Sequence, residues 1–201
     1  LKSHGISASQ VVYDPFMGTG TTNLTAKKLG ISSYGVEAHP FVYRIARAKL
    51  NWDIDRDCVT EAVARIEASV RNQRKQVNGN LTQRLGGEFP ELVLKCYEER
   101  TLFDLLLIRN AISLGEFAPE IAELLFVGLT NVLRQVSTAA TGWPYIAPRK
   151  KKATSLNKDA LFEFSRQILR MLRDVETVRD EADPSYVNTF QRIINGDSRD
   201  T

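Results

Sequence analysis

The sequence predicts an α/β fold: a parallel sheet interrupted by a long, mostly helical insertion. Three observations lead there. Residues 1–52 alternate short β-prone runs with stretches of helical spacing, residues 53–186 carry helical spacing alone, and residues 187–201 return to strand texture. A β-α-β-α order implies parallel strands joined by crossover helices.

Each element follows from its own residues. Gln10-Val11-Val12-Tyr13 is β-prone and ends at Asp14-Pro15. Thr21 to Leu29 has helical spacing and closes on Gly30, a residue suited to the turn that ends a helix. Ser33-Tyr34-Gly35-Val36-Glu37 is a second strand, and Pro40 opens a helix carrying Ile45, Ala46, Ala48 and Lys49. In the middle region, Val59 to Val77 sets Val63, Ile66 and Val70 at three- and four-residue steps. A second helix starts at Pro90 and runs through Leu92 to Ile112, and a third spans Pro119 to Val136. A fourth spans Lys158 to Arg179, with Leu161, Phe164, Ile168, Leu169 and Leu172 on one face. Gly79, Gly86, Gly87, Gly115 and Gly142 fall between these helices. Thr189 to Asn195 is the last strand, ending in Gly196-Asp197-Ser198-Arg199.

Composition excludes several classes. The 201 residues are 43% hydrophobic and 25% charged, ordinary for a globular protein. No apolar run approaches the ~20 residues that cross a bilayer; Leu102 to Ile108 is the most apolar stretch and is flanked by charge. Cys58 and Cys96 form no disulfide framework and no metal-ligand spacing, and both are expected to pack as small apolar residues in a reducing, cytoplasmic setting. His4 and His39 read as surface or cap residues, and no Asp/Glu/His cluster has metal spacing. The net charge of +3 permits nucleic-acid binding without demanding it. The chain opens on Leu1 rather than Met and stops at Thr201, so both ends read as cut and the chain is expected to be a fragment.

The sharpest local signal is Asp14-Pro15-Phe16-Met17-Gly18-Thr19-Gly20-Thr21-Thr22. A strand delivers an acid to the carboxyl edge of the sheet, where ligands of open α/β sheets bind. Two glycines one residue apart allow a tight turn and close approach of backbone to a ligand. A helix then starts, presenting N–H groups and a positive dipole end to an anionic group. The dinucleotide fingerprint needs a third glycine, and the phosphate loop needs a lysine after its last glycine; this loop has neither. A carboxylate suits an ammonium, while a helix N-terminus suits a carboxylate. A methionine moiety carries both.

The segment resembles the first motif of the amino-type nucleic-acid methyltransferases, which modify exocyclic base nitrogens. That pattern, D-P-F-x-G-x-G-T, stands here as Asp14, Pro15, Phe16, Gly18, Gly20 and Thr21, with Thr22 following. Gly35-Val36-Glu37 resembles the second motif, in which the acid takes the ribose hydroxyls of the cofactor. Gly196-Asp197-Ser198 resembles the third, in which the acid meets the adenine amino group, although Gly-Asp-Ser is also ordinary turn chemistry. The resemblance implies a Rossmann-like class I methyltransferase sheet of strand order 3-2-1-4-5-7-6. It also implies S-adenosyl-L-methionine as cofactor, held by Asp14, Pro15, Phe16, Gly18, Gly20, Thr21, Thr22, Glu37, Asp197 and Ser198. It covers residues 11–50 and 189–199; the helical middle lies outside it.

The family's catalytic motif is an Asp, Asn or Ser followed by Pro-Pro and an aromatic residue, a short step after the third motif. This sequence has no Pro-Pro dipeptide. Asp183-Pro184-Ser185-Tyr186 lacks the second proline and precedes Asp197, so it reads as a turn before a strand. No catalytic residue is therefore assigned, and the chain alone is expected to be inactive. With only half of the implied sheet present, strand 1 is expected to pair with further residues of the same protein or with a second chain.

The resemblance implies methylation of adenine N6 or cytosine N4 in DNA, as in a restriction-modification enzyme. Two alternatives remain: an RNA guanine-amino methyltransferase, and a non-catalytic cofactor-binding or specificity subunit that needs a partner chain. Arg149-Lys150-Lys151-Lys152, near Trp143 and Tyr145, is the candidate phosphate-contacting run, with a solvated loop as its alternative. DNA is the expected partner, with RNA less favoured, and no membrane.

Overall fold

A computed structural model describes residues 10–76, 81–138 and 158–200. They divide into two compact units, one of residues 1–55 and 171–201, the other of residues 56–170.

The first unit is α/β. Its strands β1 (Val11–Asp14), β2 (Ser32–Glu37) and β3 (Gln191–Asn195) form a three-stranded parallel sheet with β2 in the middle. Tyr13 sits opposite Tyr34, and Glu37 opposite Asn195. Between β1 and β2 runs α1 (Thr21–Lys28), and after β2 comes α2 (Pro40–Leu50). The end of α1 is set by Gly30, whose φ of 69° is the left-handed conformation a helix-ending turn requires. Ile31 N–H reaches back to the Ala26 carbonyl and Gly30 N–H to that of Lys27, a Schellman closure. His39 caps α2, its Nδ1 accepting from Phe41 N–H at 3.2 Å, and Pro40 fills the first helical position.

The helix-covered face of the sheet holds a buried polar chain. Asn23 of α1 donates from Nδ2 to the Ser33 hydroxyl at 2.8 Å, and Ser33 donates to Gln191 Oε1. Gly35 lies beside it because a side chain there would collide with Met17 and Asn23: a Cβ would stand 2.5 Å from Met17 Sδ. The opposite face carries Val11, Tyr13 and Ile194, all exposed. Among the described residues β1 pairs with β2 only.

The second unit is helical: α3 (Arg56–Gln76), α4 (Leu81–Glu88), α5 (Glu91–Leu94), α6 (Glu99–Leu114), α7 (Pro119–Val136) and the first half of α8 (Ala160–Glu181). Every residue of α6 from Thr101 to Ile108 is buried, the polar Thr101 and the charged Asp104 among them. Arg74 forks onto the buried Asp104 at 2.8 Å through both Nε and a terminal nitrogen, and reaches Asp159 at 3.2 Å. Burial pushes the Asp104 carboxyl above the usual range, against the pull of Arg74.

Four sequence expectations need correction. The helix expected to run unbroken through Leu92 to Ile112 breaks between Leu94 and Glu99, because the Cys96 carbonyl accepts from Thr138 N–H and the Ser137 hydroxyl instead of a helical donor. Gly86 and Gly87 lie inside α4 rather than between helices, where Leu85 is buried beside them. Leu169 is 41% exposed, and the neighbouring Gln167 is buried in its stead, accepting from Gln135 at 3.1 Å. Cys58 is exposed on the first turn of α3 rather than packed.

Candidate functional site

The glycine loop follows β1 and is built as a turn. Gly20 N–H donates to the Met17 carbonyl at 3.0 Å, and Gly18 and Gly20 have φ of 57° and 76°. The two glycines differ in what surrounds them. At Gly20 a Cβ would lie 3.1 Å from that of Ala46 on α2, so its bareness lets α2 pack against the loop. At Gly18 a Cβ would meet nothing within 4 Å. The space beside Gly18 is open.

The loop is tied to β2 from beneath and from its end. Met17 N–H donates to the Val36 carbonyl, and Gly18 N–H donates to Glu37 Oε2, both at 3.0 Å. The other Glu37 oxygen accepts from His39 N–H at 2.7 Å. One carboxylate thus spans the two loops at the carboxyl edge of the sheet. Asp14, on the preceding strand, accepts from Phe16 N–H at 3.1 Å and so shapes the start of the loop, while the Phe16 ring is 82% exposed. Thr21 and Thr22 open α1, which begins with no side-chain cap and no acidic residue in its first turn. An N-terminus left uncapped retains orphan N–H donors and the positive end of the helix dipole.

Asp197 arrives at the same edge, two residues past the end of β3. Gly196 N–H and the Asn195 amide both donate to the Glu37 carbonyl, fastening this turn to the end of β2. Arg199 forks onto Asp197 and, by hydrogen bonds from its guanidinium, holds that carboxyl below the usual range. Ser198 is half-buried beside it. The structure therefore brings Asp14 to Thr22, Glu37, Asp197 and Ser198 to one edge of one sheet. Arg149, Lys150, Lys151 and Lys152, with Trp143, Tyr145 and His4, lie outside the described residues.

Sequence reasoning passed over four residues that support this edge. Asn23, Ser33 and Gln191 form the polar chain beneath it, and Lys49 reaches the loop from α2. Spacing along the chain carries no signal for them. Asp183-Pro184-Ser185-Tyr186 forms a 3-10 turn over Pro184–Asn188, seated at Gly30 before β2 begins, at the sheet edge opposite Glu37. The Tyr186 ring packs edge-on against Trp52, with centroids 5.2 Å apart, and Asp183 caps Ser185. This turn is structural. Among the described residues no cluster of acids, histidines or cysteines could hold a metal, and no helix is long and apolar enough to cross a membrane.

The geometry is a parallel sheet with a glycine turn after its first strand and an acid after its second, both at the carboxyl edge. The profile of the DNA methylase family of N6 and N4 enzymes matches residues 3–48, a short part of the chain. The chain is 27% identical over 203 residues to the Type II methyltransferase M.BsoBI of Geobacillus stearothermophilus, an alignment covering 96% of this chain and 36% of that protein. It is 34% identical over 82 residues to the Type II methyltransferase M.MjaII of Methanocaldococcus jannaschii, covering 40% of this chain and 14% of the relative. The chain thus spans well under half the length of these relatives. No solved structure matches it.

Proposed function

We propose that this chain binds S-adenosyl-L-methionine at the carboxyl edge of its sheet and belongs to an enzyme that methylates an exocyclic amine, adenine N6 or cytosine N4, in DNA. The observation that carries the reading is the open space at Gly18, set between an uncapped helix start and the Glu37 carboxylate. The bare N–H groups of α1 suit the carboxylate of the methionine moiety, and Asp14 suits its ammonium. Glu37 accepts the ribose hydroxyls through lone pairs left over from its two backbone bonds. Asp197 meets the adenine amino group once Arg199 yields one of its oxygens. When bound, the cofactor supplies an electrophilic methyl group; the residues described here bind and orient it.

A base edge must leave the duplex stack to be reached, so the target base is flipped. The run from Arg149 to Lys152 neutralises phosphates and carries no sequence information. The helical residues 53–186 act as an insertion that carries this run. The second edge of β1 is the seam at which a further strand, from the same protein or another chain, completes the sheet; left bare, such an edge is an association hazard.

Calorimetry on the full-length protein tests the cofactor reading. A Gly18→Val, Glu37→Ala double variant is expected to lose measurable affinity, since a β-branched side chain at a φ of 57° both strains the loop and fills the open space. Unchanged affinity overturns the reading. Neutralising Arg149 to Lys152 is expected to weaken binding to all DNA sequences alike and to flatten the salt dependence; an untouched salt slope removes that run from the interface.

A further inference from the structure

Lys49 stands in the last turn of α2, and its side chain leaves that helix for the glycine loop. Its Nζ donates to the Thr19 carbonyl at 2.8 Å and lies 3.4 Å from the Thr19 hydroxyl. Thr19 is the residue between the two glycines of positive φ. The Thr19 carbonyl and the Gly20 N–H belong to one planar peptide group. Gly20 N–H is already committed to the Met17 carbonyl, so both polar ends of this peptide are held, one of them by a charge. Gly20 supplies the Cα on its C-terminal side, at a φ of 76°, so the peptide is freer to rotate than one between two residues that carry side chains. The Ala46 methyl, packed against Gly20 from the same helix, closes the space behind it.

The ammonium is half-buried, and burial lowers its pKa below the ordinary lysine value. A charge withdrawn from water needs a strong acceptor, and the carbonyl supplies one.

We propose that Lys49 is a positioning residue for the amino-acid end of the cofactor. By anchoring the Thr19–Gly20 peptide it holds the uncapped first turn of α1, which follows directly, with its N–H groups presented to a carboxylate. It acts through Thr19 rather than by touching the ligand. The inference rests on the S-adenosylmethionine reading above. It has a consequence that general support of the fold lacks. Ligands with an amino-acid end depend on Lys49, whereas ligands consisting of the adenosine part alone do not.

Two ligands separate these roles. S-adenosylhomocysteine has the amino-acid end; 5′-methylthioadenosine keeps the adenosine and the thioether without it. Their affinities are measured by calorimetry on the full-length protein as wild type, Lys49→Met and Lys49→Arg, with thermal denaturation alongside. Lys49→Met is expected to weaken S-adenosylhomocysteine about tenfold, the scale of one lost charge-assisted hydrogen bond, and to leave 5′-methylthioadenosine within about twofold. Lys49→Arg is expected to restore most of the loss. Equal weakening of both ligands, or no weakening of either, overturns the inference. If Lys49→Met does not fold, Lys49→Gln keeps a donor without the charge, and the same selectivity is required of it. A wild-type protein that binds neither ligand overturns the cofactor reading and this inference with it. A wild-type protein that binds both, with variants that bind no differently, overturns Lys49 alone.

Discussion

The α/β unit and the helical unit are held together by different means. The helical unit is filled with large side chains: Phe103, Leu105, Leu106, Leu107 and Ile108 follow one another along α6, all buried, against Leu124, Leu125 and Val132 of α7. In the α/β unit the contacts around the glycine loop are made by small residues: Gly20 against Ala46, Gly35 beneath Met17, Ala26 on the buried face of α1. Its buried polar groups, Asn23 and Ser33, are joined in a chain. The difference teaches where each unit is vulnerable. A core of large side chains fails when volume is removed, because a cavity remains. A loop built on missing side chains fails when volume is added.

The largest effect is expected from removing volume in the helical unit. Phe103 is fully buried, and Phe103→Ala should cost about 3–5 kcal/mol in urea denaturation. A loss below about 1 kcal/mol would mean that α6 is not the centre of that unit. Close behind is its charged network. Arg74→Met leaves the buried Asp104 carboxylate without its forked partner, at a cost of about 3 kcal/mol. Replacing both residues with apolar ones should recover much of that loss, which a double-mutant cycle measures.

The comparison sharpens at Gly35, where the sign of the volume change reverses. A Cβ there would stand 2.5 Å from Met17 Sδ and 2.9 Å from Asn23 Oδ1. Gly35→Val should destabilise by about 1–3 kcal/mol through overpacking, and Met17→Ala in the same chain should relieve part of it. If Gly35→Val is neutral, the α/β unit tolerates added volume and the contrast between the units fails.

How much of this was legible follows the same division. The β1–α1–β2–α2 boundaries were readable because each is marked by its own residues: Asp14-Pro15, the paired glycines, Gly30 and Pro40. The arrival of Asp14, Glu37 and Asp197 at one edge follows from parallel order, since each ends or follows a strand. The break between Leu94 and Glu99 was not legible, because it depends on Cys96 meeting Ser137 and Thr138, some forty residues away. Nor was the bond from Glu37 to Gly18, or the reach of Lys49 to Thr19, since spacing along the chain does not reveal which side chains meet across a turn. Gly35 is the instructive case. The sequence places it in the second strand and in the Gly35-Val36-Glu37 motif, and its neighbours Met17 and Asn23 show why it is bare.

A smaller effect concerns acid. Asp159 opens α8, accepting from Leu161 and Phe162 N–H at 2.9 and 3.2 Å. Burial alone would raise its pKa, but the Phe162 N–H and Arg74 outweigh burial and hold the carboxyl below its ordinary 3.8. A carboxyl whose folded-state pKa is depressed contributes stability above the unfolded value, and that contribution is lost as pH falls through the folded value. Asp159→Ala should therefore cost about 1 kcal/mol at neutral pH, the scale of a lost helix cap. The gap between wild type and variant should close below 3.8. A gap that persists in strong acid would show that the cap works through something other than the ionised carboxylate.

The smallest change in stability, and the most telling, is expected at Gly18. Its φ of 57° is one that an L-residue adopts at a cost, yet a Cβ there meets nothing within 4 Å. Gly18→Ala should therefore lose only about 1 kcal/mol, the backbone penalty without a steric one. Its N–H survives the substitution, so the bond to Glu37 is retained. Gly20→Ala carries a similar backbone penalty and adds a contact at 3.1 Å with Ala46, so it should destabilise more. For the cofactor the order should reverse. The methyl group at Gly18 projects into the open space, whereas the one at Gly20 projects toward α2. Denaturation and S-adenosylhomocysteine calorimetry on the two variants together decide the matter. Gly18→Ala should show the smaller loss of stability and the larger loss of affinity. If Gly20→Ala leads on both counts, the space beside Gly18 is not where the ligand sits.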